Sequence, residues 1–159
     1  MQMRIGIGYD VHRFIEGRPM VLGGIEIPHE RGLLGHSDAD VLVHALMDAI
    51  LGAMRDGDIG SHFPDSDPVY EGCCSVDLLG HIAGLMKAGG WRLVDADTVL
   101  ALEEPKIAPH RDRMRKRMAD ALGVDMESLG VKATTTEGLG AIGRSEGVAA
   151  YAVVLLERE

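Results

Sequence analysis

The chain is predicted to fold as an α+β domain, a mixed β-sheet covered by helices, and three observations carry that expectation. Apolar and polar residues alternate with the period of a strand near the N-terminus, over residues 4–12. Helical periodicity marks three separate stretches, 41–54, 75–88 and 110–122. Between and after them lie further short apolar runs, and the two kinds of element interleave without a strict βαβ repeat. The 159 residues suffice for one domain, taken as 1–159. Its core rests on aliphatic side chains, because aromatics are only 4% and Met numbers nine.

Taken in order, Ile5, Ile7, Tyr9 and Val11 point to one side of the first strand, and Arg4, Gly6, Gly8, Asp10 and His12 to the other. "EGRP" turns the chain into a second strand, "MVLGGIEIP". A helix begins near "SDAD" with Ser37 or Asp38 as its N-cap and runs to about Met54. "RDGDIGSHFPDSDP" reads as a long polar loop. The helix over 75–88 stops at Gly89-Gly90, and a strand follows from Trp91 to about Leu102. "EEPKIAPH" is a Pro-bounded loop before the helix over 110–122, whose buried stripe is Met114, Met118, Ala121 and Leu122. "LGVKA" is a strand, "TTTEGLG" a turn into a short helix, and "GVAAYAVVLLE" the last strand.

A net charge of −9 disfavours nonspecific nucleic-acid binding, which needs a basic surface. No stretch reaches the ~18 apolar residues of a membrane span, and "MQMRIGIGYD" lacks the pattern of a secretory signal. Cys73 and Cys74 are adjacent and form no disulfide framework, so cytosolic residence with reduced thiols is expected.

Asp10 and His12 share a strand face, so their spacing converges two metal-ligand types on one point. A distant His supplies a third ligand, and His36, His44, His62 and His110 are equally available on spacing alone. His44 lies in an otherwise apolar helix, one turn from Asp40 and Asp48. By itself it reads as a core His held by Asp48, or as a ligand whose other ring nitrogen is oriented by a carboxylate. Met47, Leu51 and Met54 share its side, so that side is expected to be covered, for example by another subunit. Thr134-x-x-Glu137 matches a capping box, and equally a hydroxyl-lined phosphate cradle in which Glu137 holds Mg²⁺. "RDRMRKR" reads as a solvated helix face, with phosphate binding the lesser option.

"GYDVH", "GLLGHSDADVLVHAL", "GDIGSHFPDSDP", "PKIAPH", "VKATTTEGLG" and "GRSEGVAAYAV" occur in this order across essentially the whole chain. Together they resemble the 2-C-methyl-D-erythritol 2,4-cyclodiphosphate synthases of the non-mevalonate isoprenoid pathway. The resemblance implies a homotrimer with active sites between subunits, and Asp10, His12 and His44 as ligands of a divalent cation, usually Zn²⁺. It matches His36, Ser37, Asp58, Gly60, Phe63 and Asp65 to contacts with the erythritol phosphate part of the substrate. Pro105, Lys106, Ile107, Ala108 and Ala133 match the cytidine pocket. Thr134 and Thr135 match the diphosphate-binding hydroxyls, Glu137 the ligand of a second metal, Mg²⁺ or Mn²⁺, and Arg144 a further substrate contact. Ala141 departs from the pattern, standing where members often carry Phe in the channel along the trimer axis. The implied reaction cyclises 4-diphosphocytidyl-2-C-methyl-D-erythritol 2-phosphate and releases CMP, a phosphorus–oxygen lyase activity. Two other readings are a zinc phosphohydrolase and a nucleotide-binding module with a structural metal.

Overall fold

A computed structural model describes residues 1–159. The elements are β1 (Gln2–Glu16), β2 (Met20–Leu22), β3 (Ile25–Ile27), β4 (Arg31–Leu33), α1 (Val41–Met54), α2 (Ile59–His62), α3 (Ser75–Ala88), β5 (Arg92–Ala101), α4 (Arg111–Leu122), β6 (Leu129–Thr134), α5 (Gly140–Gly143) and β7 (Gly147–Arg158). The sheet is mixed, in the order β4-β1-β7-β5-β6. Its one parallel pair, β5 and β6, is joined through α4, because parallel neighbours need a crossover. β1 and β7 pair from Gln2–Arg158 to Arg13–Gly147. No helix is long and apolar enough to cross a membrane.

The first strand alternates as expected, and the glycine face turns out to be the packed one. A Cβ at Gly6 would sit 1.9 Å from Ala49 O, and one at Gly8 would sit 1.8 Å from Ala45 O. The backbone of α1 therefore lies directly on β1. The apolar side of β1 is bare: Ile5 is 69% and Ile7 72% exposed. Tyr9, Val11, Tyr151 and Val153 extend this exposed face across β1 and β7, where Tyr9 pairs with Tyr151 and Ile7 with Val153.

α1 is buried nearly all round, Met47 and Leu51 included. Its outer side is covered by α3 and the β2–β3 segment of the same chain, so no second subunit is needed there. The expected second strand is in fact this β2–β3 hairpin. It turns at Gly23-Gly24, both with positive φ (59 and 75), the conformation a two-residue hairpin turn requires.

The N-cap of α1 is Asp40, in place of Ser37 or Asp38. Ala39 takes a φ of 58, so the chain is still turning there and the helix starts at 41. Asp40 Oδ1 accepts from Val43 N at 3.1 Å and Gly23 N at 3.0 Å, and Oδ2 accepts from Gly24 N at 2.6 Å. This one buried carboxylate fastens the hairpin turn to the helix start. Burial pushes its carboxyl up to about 6, against the backbone N–H groups that hold the charged form.

In α4 the buried residues are Met114, Met118, Ala119 and Leu122, with Ala121 only half-buried. The polar segment 55–68 contains α2, capped by Asp58, and leads into a 3₁₀ turn at 68–70. The Thr134–Glu137 capping box is not formed. Thr134 ends β6, Glu137 takes a left-handed φ of 54, and α5 begins only at Gly140.

Candidate metal and substrate site

Asp10 and His12 project from β1 toward α1, and the close seating of that helix brings His44 to them. Asp10 Oδ2 lies 2.9 Å from His12 Nε2 and 3.0 Å from His44 Nδ1. The two ring nitrogens are 3.2 Å apart. His12 Nδ1 is 2.6 Å from Leu34 O, a carbonyl that only accepts, so Nδ1 carries a proton. The neutral ring then turns the lone pair of Nε2 inward. A carboxylate and two imidazole nitrogens thus converge, a donor set suited to a divalent cation with one position left open. Burial opposes ionisation of Asp10, but hydrogen bonds with His12 and His44 outweigh it and hold the carboxyl at about 2. Burial also disfavours charged His12, and Asp10 outweighs this to raise its pKa above 6.5.

The expected support of His44 by Asp48 is absent. Asp48 Oδ1 accepts from Ile59 N at 2.8 Å and so anchors the start of α2. The outer nitrogen of His44, Nε2, meets two hydroxyls, Ser75 Oγ at 2.9 Å and Ser37 Oγ at 3.1 Å. Ser75 carried no signal in the sequence, since a Ser opening a helix reads only as a cap.

Beside His44 opens a cavity of about 160 Å³. His36, Ser37, Gly60, Phe63 and Asp65 line it, as the resemblance implies. Met47, Ile59, Tyr70, Cys73 and Leu78 complete its lining, with Tyr70 edge-on to Phe63 at 5.3 Å. Sequence reasoning assigned none of these five to the site. Asp58 is not part of the lining. It caps α2, accepting from Ser61 N at 2.9 Å and Ser61 Oγ at 3.0 Å, and these bonds hold its carboxyl below the ordinary range.

The remaining site residues lie elsewhere on the chain. Register places Thr134 beside Ala101, Ala101 beside Ala149, and Ala149 beside Val11. Three strand spacings of ~4.8 Å put Thr134 roughly 14 Å from β1. Thr134 shares the bare apolar face with Val11, whereas Asp10 and His12 are on the helix-covered face. Thr135 Oγ1 donates to Glu137 Oε1 at 3.5 Å, and both residues are exposed. Pro105, Lys106 and Ala108 reach the surface in the loop after β5, and Ile107 is buried in the core. Ala133 is exposed near the end of β6. Glu103 Oε1 accepts from Thr136 N at 2.9 Å and so ties this loop to the Thr-rich turn. Arg144 is exposed and paired with Glu146 at 2.7 Å.

The fold and the three converging donors define a small α+β domain with a group able to hold a metal ion, and comparison with known proteins specifies its family. The YgbB family model matches residues 3–157. A 2-C-methyl-D-erythritol 2,4-cyclodiphosphate synthase from Geotalea uraniireducens is 57% identical, covering 99% of this chain and all of that protein. Its counterpart from Syntrophomonas wolfei is 56% identical over 98% of this chain and 99% of its own. Among solved structures, the bifunctional IspDF of Campylobacter jejuni superposes with a TM-score of 0.96 at 40% identity, over 99% of this chain and 43% of that longer one. A CDP complex of Plasmodium falciparum IspF gives 0.86 at 31% identity, covering 99% and 97% of the two chains. The chain belongs to the YgbB family, the family of the 2-C-methyl-D-erythritol 2,4-cyclodiphosphate synthases.

Proposed function

We propose that the chain, acting as a single domain, converts 4-diphosphocytidyl-2-C-methyl-D-erythritol 2-phosphate to 2-C-methyl-D-erythritol 2,4-cyclodiphosphate and CMP, in the cytosol, as a phosphorus–oxygen lyase of isoprenoid precursor synthesis. The observation that carries this is the meeting of Asp10, His12 and His44 beside a cavity lined by His36, Ser37 and Asp65, in a chain 57% identical to a named synthase. A 2-phosphate oxygen attacks the β-phosphorus, the bond from that phosphorus to the CMP oxygen breaks, and CMP leaves with the electron pair. The nucleophile is anionic at pH 7, so no side chain has to deprotonate it. The chain's task is to fold the substrate onto itself, and such positioning is worth ~7–11 kcal/mol in intramolecular reactions.

Asp10, His12 and His44 would hold a Zn²⁺ and Glu137 a Mg²⁺ or Mn²⁺ shared with substrate phosphates, and these ions supply Lewis-acid polarisation and neutralise phosphate charge. Thr134 and Thr135 donate their hydroxyls to the diphosphate, and the backbone of 105–108 with Ala133 receives the cytosine. His36, Ser37, Gly60, Phe63 and Asp65 receive the erythritol phosphate, with Asp58 fixing the loop that carries them. Arg144, paired with Glu146, holds substrate once that pair opens.

The two halves of this machinery lie about three strands apart on opposite faces of one sheet. A homotrimer reconciles them by bringing the Thr-rich turn of one chain to the metal group of the next across the bare face of β1 and β7. An exposed apolar face of that kind marks a protein interface. His44→Ala tests the assignment: zinc content and CMP release should fall together. Wild-type zinc content and rate in that variant would overturn it.

A further inference from the structure

Arg18 stands in the "EGRP" turn between β1 and β2, half-buried, and belongs neither to the metal group nor to the cavity lining. Its Nη1 donates to Gly35 O at 2.6 Å and its Nη2 to Ser37 O at 2.5 Å. Both acceptors lie in residues 34–37, the segment between β4 and α1 that brings His36 and Ser37 to the cavity beside His44. We infer that Arg18 is a positioning residue for the proposed cyclisation, clamping this segment so that His36 and Ser37 hold the erythritol phosphate end of the substrate in place for attack. This deepens the proposed function and rests on its assignment of that end to His36 and Ser37.

The segment 34–37 belongs to no helix or strand, so its carbonyls must find partners singly. Leu34 O faces His12 Nδ1 at 2.6 Å, and His36 O accepts from Gly72 N at 2.8 Å. The other two, Gly35 O and Ser37 O, are held by Arg18. One guanidinium thus fixes the peptide unit entering His36 and the one leaving Ser37, and the two site side chains stand between them. A planar guanidinium can hold both carbonyls at once, whereas the ammonium of Lys is a single point charge.

Close packing surrounds the clamp on both sides. A Cβ at Gly35 would meet Ala39 Cβ at 2.9 Å and His12 Cε1 at 3.1 Å, so the segment is already pressed against the His12 ring. A Cβ at Gly32 would lie 2.4 Å from both Arg18 O and Pro19 O, so the backbone carrying the guanidinium is seated directly on β4. Arg18 therefore acts from a fixed base. Ser37, held at its carbonyl, keeps its hydroxyl 3.1 Å from His44 Nε2.

Wild type, Arg18→Ala and Arg18→Lys are compared for kcat, KM and inhibition by CMP, which probes the nucleotide end alone. Arg18→Ala should lower kcat on the order of 100-fold, the cost of misplacing a reacting group by ~1 Å. KM should move less and CMP inhibition stay unchanged, because the nucleotide end still anchors the substrate. Arg18→Lys keeps the charge but reaches one carbonyl, and its kcat should fall between the other two. Wild-type kcat in a folded Arg18→Ala protein overturns the inference. So does wild-type kcat in Arg18→Lys, which decides the matter if the Ala variant fails to fold. CMP inhibition weakened by the same factor as kcat also overturns it, since Arg18 would then support the fold at large. Amide exchange reads the clamp without turnover: the Gly72 N–H, bonded to His36 O, should exchange faster in Arg18→Ala while the amides of β1 and β7 keep their wild-type rates. Unchanged exchange at Gly72 counts against the clamp. If exchange there quickens while the wild type forms no cyclic product, the clamp on 34–37 stands and the cyclisation proposal falls.

Discussion

Gly8→Ala carries a packing change into the metal group. The added carbon would meet Ala45 O at 1.8 Å. That atom is helix backbone, so no rotamer relieves the clash. To reach the 3.4 Å of ordinary contact, α1 must lift from β1 by about 1.6 Å. His44 precedes Ala45 and rises with it, leaving Asp10 Oδ2, now 3.0 Å from its Nδ1. Metal–ligand distances tolerate only about 0.2 Å, so His44 ceases to be a ligand. Overpacking of this kind costs about 1–3 kcal/mol. Urea unfolding should give a lower midpoint for Gly8→Ala with little change in slope. Chelator competition should show zinc affinity reduced by more than the about 100-fold that loss of an outer hydrogen-bond partner costs. Gly52→Ala, on the same helix, is the control: its new carbon meets only Ile7 O, at 3.9 Å. It should be neutral or stabilise by up to about 1 kcal/mol. Wild-type zinc affinity in a folded Gly8→Ala protein would refute the coupling of helix seating to metal binding.

Three more outcomes are expected. In the metal-free chain, the stability due to Asp10 is complete above 3.8 and lost as pH falls to about 2. That due to His12 is complete below 6.5 and lost as pH rises through its raised value. Urea midpoints should therefore be highest between those limits, and zinc, which displaces the inward proton of His12, should bind more tightly as pH rises; flat profiles would count against the pair. Asp40→Ala removes the cap of α1 and strands Gly23 N and Gly24 N, which should cost roughly 2–5 kcal/mol in urea unfolding. Ile7→Glu charges the bare face at a side chain 72% exposed in the single chain. If the proposed trimer forms across this face, sedimentation should show a trimer for the wild type and a monomer without turnover for this variant, and an unchanged assembly would remove this face from the interface.

Much of the architecture was legible because period and punctuation agree. The helix over 75–88 and the last strand stand where their patterns put them. The β2–β3 hairpin was hidden because "LGGI" keeps an apolar run going through its turn, and only the positive φ of both glycines breaks it. The cap of α1 was misplaced because Ser37, Asp38 and Asp40 are all good caps, and the strained Ala39 between them leaves no mark in sequence. At the site, Asp10 and His12 were visible through strand alternation. Spacing alone did not separate His44 from three other histidines; the resemblance singled it out, and the seating of α1 on Gly6 and Gly8 is what brings it to Asp10 and His12. Ser75 and Tyr70 come from elements remote in sequence and meet the site only through tertiary packing. The bare face of β1 reversed the usual rule that the apolar side of a strand is the core side, because α1 seats on the glycine face instead.

Phosphorus NMR of the product tests the central claim most directly. Protein of measured zinc content, supplied with Mg²⁺ and 4-diphosphocytidyl-2-C-methyl-D-erythritol 2-phosphate, should convert it to CMP and a cyclic diphosphate in equal amounts, with no inorganic phosphate. Release of inorganic phosphate, or CMP accompanied by an open-chain bisphosphate, would mean that water is the nucleophile and would contradict cyclisation.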